Sequence, residues 1–307
     1  MNADFVPSRP GAVASSIRKQ ILGIALKSGG CYLAQACSSA EIVEALYTRI
    51  LKLGPSAGLW DAIPFPGVPG PENMDYPRGS AYHGLPAADK DRFFVSCCHY
   101  ASVIYCALAA IGRLNPSALE KFNVDGWNME MIGAEHSPGF ENTAGSLGQT
   151  VSIAAGTAHA RRLKGETGRV YCLMGDGELQ EGQTWECVQA AGYYHLDNFI
   201  MVIDANGQQV EGAVADQMTL EPLAERFQAF GAACAECDGH SIDAVTRACL
   251  ETEHSGKPLA VICRTRGTTG VPPLEKKWPY LHFVRIAPEE RAEFQAVFDA
   301  MEGGGAV

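Results

Sequence analysis

Two polar side chains, Asp176 and Asn206, each follow an apolar run of strand length, at residues 170–174 and 199–203. Parallel strands end at the same edge of a sheet, and open α/β sheets bind their ligands at that edge. We therefore expect the two side chains to meet over one ion. Carboxylate and amide oxygens beside a diphosphate suit Mg²⁺, which takes its remaining ligands from phosphate and water. The pattern predicts a magnesium site.

Glycines surround this carboxylate. Gly175 and Gly177 flank Asp176, and a helical pattern over residues 184–194 follows. Glycine lets backbone N–H groups approach an anion closely, and the helix presents its N-terminus to the same place. Taken alone, Gly-Asp-Gly is more typical of a plain turn. Joined to a strand, a helix, a second strand and an asparagine at this spacing, it favours a phosphate site.

Short apolar runs alternate with helical patterns along the chain. A third run lies at residues 259–263, and Phe94 with Val95 indicates another strand. Continuous apolar runs are typical of strands covered on both faces of a parallel sheet. The alternation predicts an α/β fold with a mainly parallel sheet and helices on both faces. The helical patterns cover residues 38–53, 100–114, 147–163, 184–194 and 242–252.

Local signals mark two helix starts. Ser38 with Glu41 three residues later has the form of a capping box, so the first of these helices is expected to begin there. Ser241 or Asp243 is expected to begin the helix at residues 242–252.

The chain contains no internal repeat, and residues 1–285 are expected to form one domain, followed by a C-terminal helix from Pro288 and a flexible tail within 286–307. Residues 54–89 are rich in proline and glycine and are expected to be an irregular insertion. A loop of this length is usually functional or contacts a partner. Its aromatic side chains are costly to expose, which favours packing against another surface. These are Trp60, Phe65, Tyr76 and Tyr82.

The composition excludes some classes of partner. The formal net charge of −11 argues against nucleic acid and anionic membranes. No apolar N-terminal segment and no run of about 18 apolar residues appears, so we expect a cytoplasmic protein that is neither exported nor membrane-spanning. A charged fraction of 19% with 47% hydrophobic residues suits a chain with extensive interfaces.

Eleven cysteines are scattered through the apolar segments. An odd number in such positions indicates reduced, buried thiols. Cys234 and Cys237 form a CxxC, but no second pair follows, so a zinc site is not expected.

At this point the sequence resembles a known family. Gly175-Asp176-Gly177 with Asn206 resembles the thiamine diphosphate fingerprint, and residues 175–182 are similar to its transketolase form. Residues 91–99 resemble a segment that ends in Gly-His, with Cys98 in place of the glycine. Residues 138–149 resemble the Pro-Gly-Val-Glu to Thr-Gly-x-Leu-Gly-Gln stretch. The resemblance covers residues 15–270 and implies a diphosphate-binding (PP-type) domain.

The resemblance implies two cofactors, thiamine diphosphate and Mg²⁺. Asp176 and Asn206 would be side-chain ligands of the metal, and the backbone carbonyl of Gln208 would be the third protein ligand. The residues implied to bind the organic cofactor are Gly145, Leu147, Gly175, Asp176, Gly177, Glu178, Asn206 and His99, of which Gly145 and Leu147 would contact the aminopyrimidine.

The resemblance also implies catalytic roles. His99 would lie near the diphosphate and the substrate, and Glu181 would join a carboxylate network that reaches a partner subunit. His136 is expected either to match a family histidine or to be a structural residue.

Two family histidines are displaced here. Tyr32, or else Cys31, stands where the family has an N-terminal histidine that contacts the substrate. His282 is a fallback candidate for the histidine expected after the last strand.

Transketolases run to about twice this length, and the glutamate that protonates the pyrimidine ring lies in a second domain. The resemblance therefore implies a C-terminal, pyrimidine-binding partner subunit in an α₂β₂ tetramer. The implied reaction moves a two-carbon ketol unit from a ketose or ketose phosphate to an aldehyde. The alternatives are an E1-like subunit for 2-oxo acid decarboxylation with acyl transfer, and a non-catalytic interaction subunit. The sequence leaves the sugar unnamed.

Overall fold

The computed structural model describes Pro7 and residues 9–301. A five-stranded sheet lies at its centre, with every strand parallel to its neighbours, in the order β2-β3-β4-β8-β7. Two small antiparallel pairs, β1 with β9 and β5 with β6, stand beside it. The strands are β1 (Gly30–Cys31), β2 (Arg92–Val95), β3 (Val170–Gly175), β4 (Phe199–Ala205), β5 (Gln208–Gln209), β6 (Gly212–Ala213), β7 (Ala233–Asp238), β8 (Leu259–Arg264) and β9 (Val284–Arg285).

Helices cover both faces of the sheet. The α-helices of the described residues are α1 (Ala12–Ser28), α2 (Leu33–Ala45), α3 (Ala101–Ala110), α4 (Gln149–Leu163), α5 (Gly182–Tyr193), α6 (Val214–Met218), α7 (Leu223–Ala229), α8 (Ile242–Glu251) and α9 (Arg291–Ala300). A wider π-turn (Leu46–Ile50) continues α2, and short 3₁₀ turns lie at Gly79–His83, Cys98–Tyr100, Pro116–Lys121, Gly177–Gln180 and Pro272–Lys277.

Successive side chains of the strands lie on opposite faces of the sheet, so the core has two parts, one on each face. On β3, Tyr171 and Leu173 pack with residues of α1, α2, α3 and α8, whereas Cys172 and Met174 pack with residues of α4, α5 and α7. Successive side chains of a strand point to opposite faces, so a strand buried on both sides is apolar throughout. The predicted α/β fold with a parallel sheet is confirmed.

Several elements differ from the sequence predictions, and the 17-residue helix α1 was not among the predicted helices. The predicted capping box is wrong: α2 begins at Leu33, and Ser38 lies in its interior. Ser38 is used for a tertiary contact instead, since its hydroxyl donates to Asp204. Strand β7, at one edge of the sheet, was not predicted, because its sequence mixes small, acidic and cysteine residues. Ser241 does begin α8, and its hydroxyl accepts from the N–H of Ala244.

The insertion at 54–89 is irregular apart from the turn at Gly79–His83. Its aromatic residues are covered by this chain more than the sequence suggested. Tyr76 and Tyr82 are buried, and the rings of Trp60 and Tyr82 lie 5.0 Å apart. Phe65 remains exposed. Only part of the segment is therefore left for contact with another surface.

Nine of the eleven cysteines are buried, as predicted, whereas Cys234 and Cys237 are half-buried. Helix α9 packs against α1, where the Lys19 ammonium lies over the ring of Phe298. The predicted tail after Met301 lies outside the described residues. Within the described residues, no helix combines the length and apolarity that crossing a membrane requires.

Candidate functional site

Asp176 stands at the carboxyl end of β3, between the strand and the turn Gly177–Gln180. Its side chain is buried, and Oδ2 accepts a 2.7 Å hydrogen bond from the N–H of Gly207. Oδ1 is buried and has no hydrogen-bond partner among the described residues. Burial raises the pKa of Asp176 to about 7, and the nearby Asp204 acts in the same direction. The Asp176 carboxylate thus joins the loops after β3 and β4 through Oδ2 and leaves Oδ1 without a hydrogen bond.

Asn206 lies on the second of these loops and is held on both sides. Its Oδ1 accepts from the N–H of Gln208 at 3.0 Å, and its Nδ2 donates to Oδ2 of Asp204 at 3.2 Å. Asp204 is fully buried at the end of β4. Its carboxylate also accepts from the hydroxyls of Ser38, Tyr100 and Thr265.

Backbone packing brings the third predicted metal ligand to the same edge. A Cβ at Gly177 would lie 3.1 Å from Cβ of Gln209 and 3.6 Å from the carbonyl oxygen of Gln208. Gly177 therefore allows the loop after β3 to approach the Gln208 carbonyl closely. The structure places Asp176 after β3, Asn206 between β4 and β5, and Gln208 at the start of β5, and their role as metal ligands stays a prediction.

Glu178 follows on the turn and is buried. Its Oε2 accepts from the hydroxyl of Ser96 at 2.7 Å and from the N–H of Gly148 at 3.2 Å, while Oε1 has no partner among the described residues. Burial raises the pKa of Glu178 to about 7. The side chain joins the turn to the end of β2 and the start of α4.

Three further predicted residues lie at the surface beside this turn. Gly145 is exposed with φ of +143°, and Leu147 is half-buried, with its carbonyl accepting from Nε2 of Gln183 at 3.1 Å. Glu181 is exposed, and a Cβ at Gly148 would lie only 2.9 Å from its Cβ. The start of α4 and the Glu181 carboxylate therefore share one surface.

An aromatic cluster forms around His99. Its ring centroid lies 5.2 Å from that of Tyr32 and 4.9 Å from that of His282, and Tyr32 lies 5.3 Å from His282. His99 keeps some surface open to solvent, but its surroundings desolvate the ring and, together with His282, lower its pKa to about 3. Burial also lowers the pKa of His282. Both imidazoles are thus uncharged at neutral pH.

Cys31 does not join this cluster. It is fully buried in β1, and burial raises the pKa of its thiol to about 12. Tyr32, rather than Cys31, stands beside His99.

His136 makes different contacts. Its Nε2 pairs with Glu130, and its ring lies 4.9 Å from that of Phe65 in the insertion. The neighbouring Ser137 donates to the same carboxylate at 2.5 Å. These contacts suit the structural alternative, and a role for His136 in the site stays a prediction.

Comparison with known proteins decides the family. Residues 85–280 match the family described as transketolase, thiamine diphosphate binding domain. The chain belongs to this transketolase family. It is 33% identical to an uncharacterized transketolase family protein of Sinorhizobium fredii, over 94% of each chain. It is 30% identical to one subunit of the apulose-4-phosphate transketolase of Actinobacillus succinogenes, over 93% of this chain and 95% of that one.

Solved transketolases share the fold. The transketolase from Leishmania mexicana superposes with a TM-score of 0.74 at 22% identity, over 96% of this chain and 42% of that one. The transketolase from Campylobacter jejuni superposes with a TM-score of 0.71 at 24% identity, over 95% and 45% respectively. The chain therefore spans less than half the length of these transketolases.

Sequence reasoning missed the residues that position Asn206 in this candidate site. From the sequence, Asp204 is only the end of a strand and Ser38 only a candidate cap. Tyr100 and Thr265 carry no motif at all. A carboxylate that ends an apolar strand is the one signal for Asp204, since a buried charge needs several donors. The donors come from segments far apart in the sequence.

Proposed function

We propose that this chain binds thiamine diphosphate through Mg²⁺ at the edge formed by Asp176 and Asn206. In this proposal it is the diphosphate-binding subunit of a transketolase, which moves a two-carbon ketol unit from a ketose or ketose phosphate to an aldehyde. The observation that carries the proposal is the buried Oδ1 of Asp176, which has no partner among the described residues.

The residues fit a metal–diphosphate group. A buried carboxylate without a partner is costly, and a bound cation offsets that cost. A carboxylate, an amide oxygen and a backbone carbonyl are hard oxygen donors of the kind Mg²⁺ takes. Gly177 lets the backbone after β3 approach the proposed carbonyl ligand, because a Cβ there would lie only 3.6 Å from the oxygen of Gln208.

Each part of the site has a proposed task. Asp176, Asn206 and the carbonyl of Gln208 would hold the metal, Gly175, Gly177 and the backbone of Glu178 would face the diphosphate, and the Gly145–Leu147 stretch would face the aminopyrimidine. Bound thiamine diphosphate supplies the carbanion-stabilising chemistry, and the protein supplies orientation and a closed site.

The aromatic cluster is proposed to bind the substrate. His99, His282 and Tyr32 offer hydrogen-bonding groups without a net charge, because burial keeps both imidazoles neutral. Neutral imidazole both donates and accepts, and a phenol does the same. Such a wall suits the hydroxyl groups of a sugar.

A second subunit is proposed to complete the site. Glu181 is exposed next to the start of α4, as expected of a carboxylate that meets a partner. Relatives of matching length are named as transketolase subunits. One is the apulose-4-phosphate transketolase subunit of Actinobacillus succinogenes, and another is a 6-deoxy-6-sulfo-D-fructose transketolase subunit of Clostridium, which is 30% identical over 82% of each chain. We propose a pyrimidine-binding partner in an α₂β₂ assembly in the cytoplasm.

Reconstitution tests the function. The purified chain should show no ketol transfer by itself and should gain it, with thiamine diphosphate and Mg²⁺, on adding a pyrimidine-binding subunit of similar size from the adjacent reading frame. Asp176→Ala should abolish the gain while the two chains still associate. Robust turnover by the isolated chain would refute the two-subunit proposal. Turnover of a 2-oxo acid in place of ketoses would favour the E1-like alternative.

A further inference from the structure

The CxxC pair lies on the edge strand β7, and its two thiols face away from each other. Cys234 and Cys237 are three residues apart, so their side chains point to opposite faces of the sheet. Cys234 packs against the core on the side of α4 and α5, and Cys237 packs against the core on the side of α1 and α2. Neither a metal site nor a disulfide within the motif follows from this arrangement.

Cys237 has a different neighbour, on the adjacent strand. It lies directly opposite Cys263 of β8 in the register of the sheet, and the two Sγ atoms are 3.8 Å apart. Neighbouring strands run about 4.8 Å apart, which is within the Cα separation of about 4.4–6.8 Å that a disulfide accepts. Rotation of the two side chains can bring the sulfurs to the bonding distance of about 2.05 Å.

The two thiols are unequal in reactivity. Cys237 is half-buried on the edge strand, whereas Cys263 is fully buried. The hydrogen bond shared with Cys263 lowers the pKa of Cys237, although burial and the nearby Asp238 and Glu236 act against this. The same contact and burial raise the pKa of Cys263. A lower pKa and better access make Cys237 the thiol that a small oxidant meets first.

We infer that Cys237 and Cys263 form a peroxide-reactive dithiol that closes to a cross-strand disulfide. The Cys237 thiolate attacks one oxygen of hydrogen peroxide, the O–O bond breaks, hydroxide leaves and a sulfenic acid remains. Cys263 then gives up its proton and attacks the Cys237 sulfur, so that the S–S bond forms as the S–O bond breaks. Two thiols are oxidised, one peroxide is reduced, and two waters result.

The dithiol lies close to the residues that position Asn206. Cys263 lies opposite Asp204 in the register of β4 and β8, and two residues later Thr265 donates its hydroxyl to the Asp204 carboxylate. A disulfide at Cys263 would therefore form on β8 directly beside Asp204, the residue whose carboxylate accepts from Asn206. The oxidation itself does not depend on the proposed function, and its test needs no activity.

The test uses the full chain and hydrogen peroxide, followed by alkylation of the remaining thiols and mass spectrometry. We expect a mass loss of about 2 Da and one cross-linked pair of tryptic peptides, both reversed by dithiothreitol. One peptide carries Cys234 and Cys237. The other carries Cys249 and Cys263, because Pro258 follows Lys257 and blocks cleavage there.

Single substitutions identify the bonded sulfurs. Cys237→Ser and Cys263→Ser should lose the cross-link, whereas the matched controls Cys234→Ser and Cys249→Ser should keep it. Cys237→Ser changes a half-buried position, so a circular dichroism spectrum like that of the parent secures the result even where Cys263→Ser fails to fold. A cross-link that survives in Cys237→Ser, or peroxide treatment that gives only sulfinic acid at Cys237, would overturn the inference.

Discussion

The carboxylate of Asp204 accepts hydrogen bonds from Ser38, Tyr100, Asn206 and Thr265. Because it is fully buried, these donors supply what water would otherwise give. Asn206 is one of these donors, so the loop that carries it is tied to the buried carboxylate. At the scale of single residues, the sequence identified the groups proposed to meet the cofactor but not those that position them.

Removing the hydroxyl of Tyr100 should therefore affect both stability and the site. Tyr100→Phe deletes a 2.7 Å hydrogen bond to Asp204 and a neighbour of Asn206 Nδ2 at 3.3 Å. We expect the free energy of unfolding to fall by about 1–3 kcal/mol. We also expect weaker Mg²⁺-dependent binding of thiamine diphosphate, measured by calorimetry with the partner subunit present.

The control for Tyr100→Phe is Tyr47→Phe. Tyr47 is equally buried, and its hydroxyl contacts Nε2 of His83 at 2.9 Å, away from Asp204. The Tyr47→Phe variant should lose a similar free energy of unfolding and keep the cofactor affinity of the parent. Equal cofactor affinity in both variants would show that Tyr100 supports the fold alone.

Tyr32 allows a test of the aromatic cluster. Tyr32→Phe keeps the ring that packs against His99 and His282 and removes only the phenol oxygen. Stability should change by less than about 0.5 kcal/mol, since no large group is lost. If the phenol binds the sugar, KM for the ketose donor should rise several-fold while cofactor affinity stays constant. An unchanged KM would reduce Tyr32 to a packing residue.

At the scale of elements, the apolar strands were predictable because burial on both faces leaves a continuous apolar run. Strand β7 was not, because it lies at the edge of the sheet and two of its six residues, Glu236 and Asp238, are exposed acidic residues that interrupt the apolar run. The start of α2 was missed for a different reason. Ser38 and Glu41 have the spacing of a cap, but Ser38 bonds Asp204 and Glu41 pairs with Arg18, and neither partner is close in sequence.

The insertion is anchored to α2's π-turn extension by His83, which offers a test through pH. Burial lowers the pKa of His83 to about 3, helped by Arg113 and Arg92, against an ordinary value of 6.5. Between these values only the unfolded chain binds the proton, so stability rises with pH through this window and falls as pH drops. Lowering the pH from about 7 to about 5 should cost about 2 kcal/mol through this residue.

Denaturant titrations at the two pH values measure this cost. In His83→Gln the loss of stability between them should be smaller by about 2 kcal/mol. His254→Gln, which alters a histidine whose contact is a surface hydrogen bond to the carbonyl of Lys257, should behave like the parent. An equal pH dependence in parent and His83→Gln would mean that His83 takes up its proton in the folded state.

At the scale of the whole molecule, the parallel sheet and the edge that carries Asp176 and Asn206 followed from the sequence, whereas the surfaces did not. The insertion is covered in part by this chain, since Tyr76 and Tyr82 are buried and Arg113, outside the insertion, donates to the carbonyls of Gly54 and Tyr82. Aromatic content indicates that a segment packs against an apolar surface. It does not tell whether that surface belongs to the same chain or to a partner chain.

The part of the insertion left for a partner is residues 66–74. Val68 and Met74 are 72% and 73% exposed, and exposed apolar groups of this size favour a covering surface. Asn73 donates to the carbonyls of Pro66 and Val68, so the stretch holds itself together. It can be replaced by a short Gly/Ser link without removing the packed residues on either side.

We expect this replacement to leave the chain folded and to reduce its assembly with the partner subunit or to change its choice of acceptor aldehyde. Sedimentation measures the first effect and initial rates with several aldehydes measure the second. Loss of the tetramer would assign residues 66–74 to the interface, and intact assembly with an altered acceptor preference would assign them to the substrate channel.

Leu250→Lys, a change at an exposed apolar residue of α8, is the control for a general loss of surface apolarity. Its assembly and rates should match those of the parent. A shortened protein that also assembles and turns over like the parent would show that the stretch is a surface loop without either role.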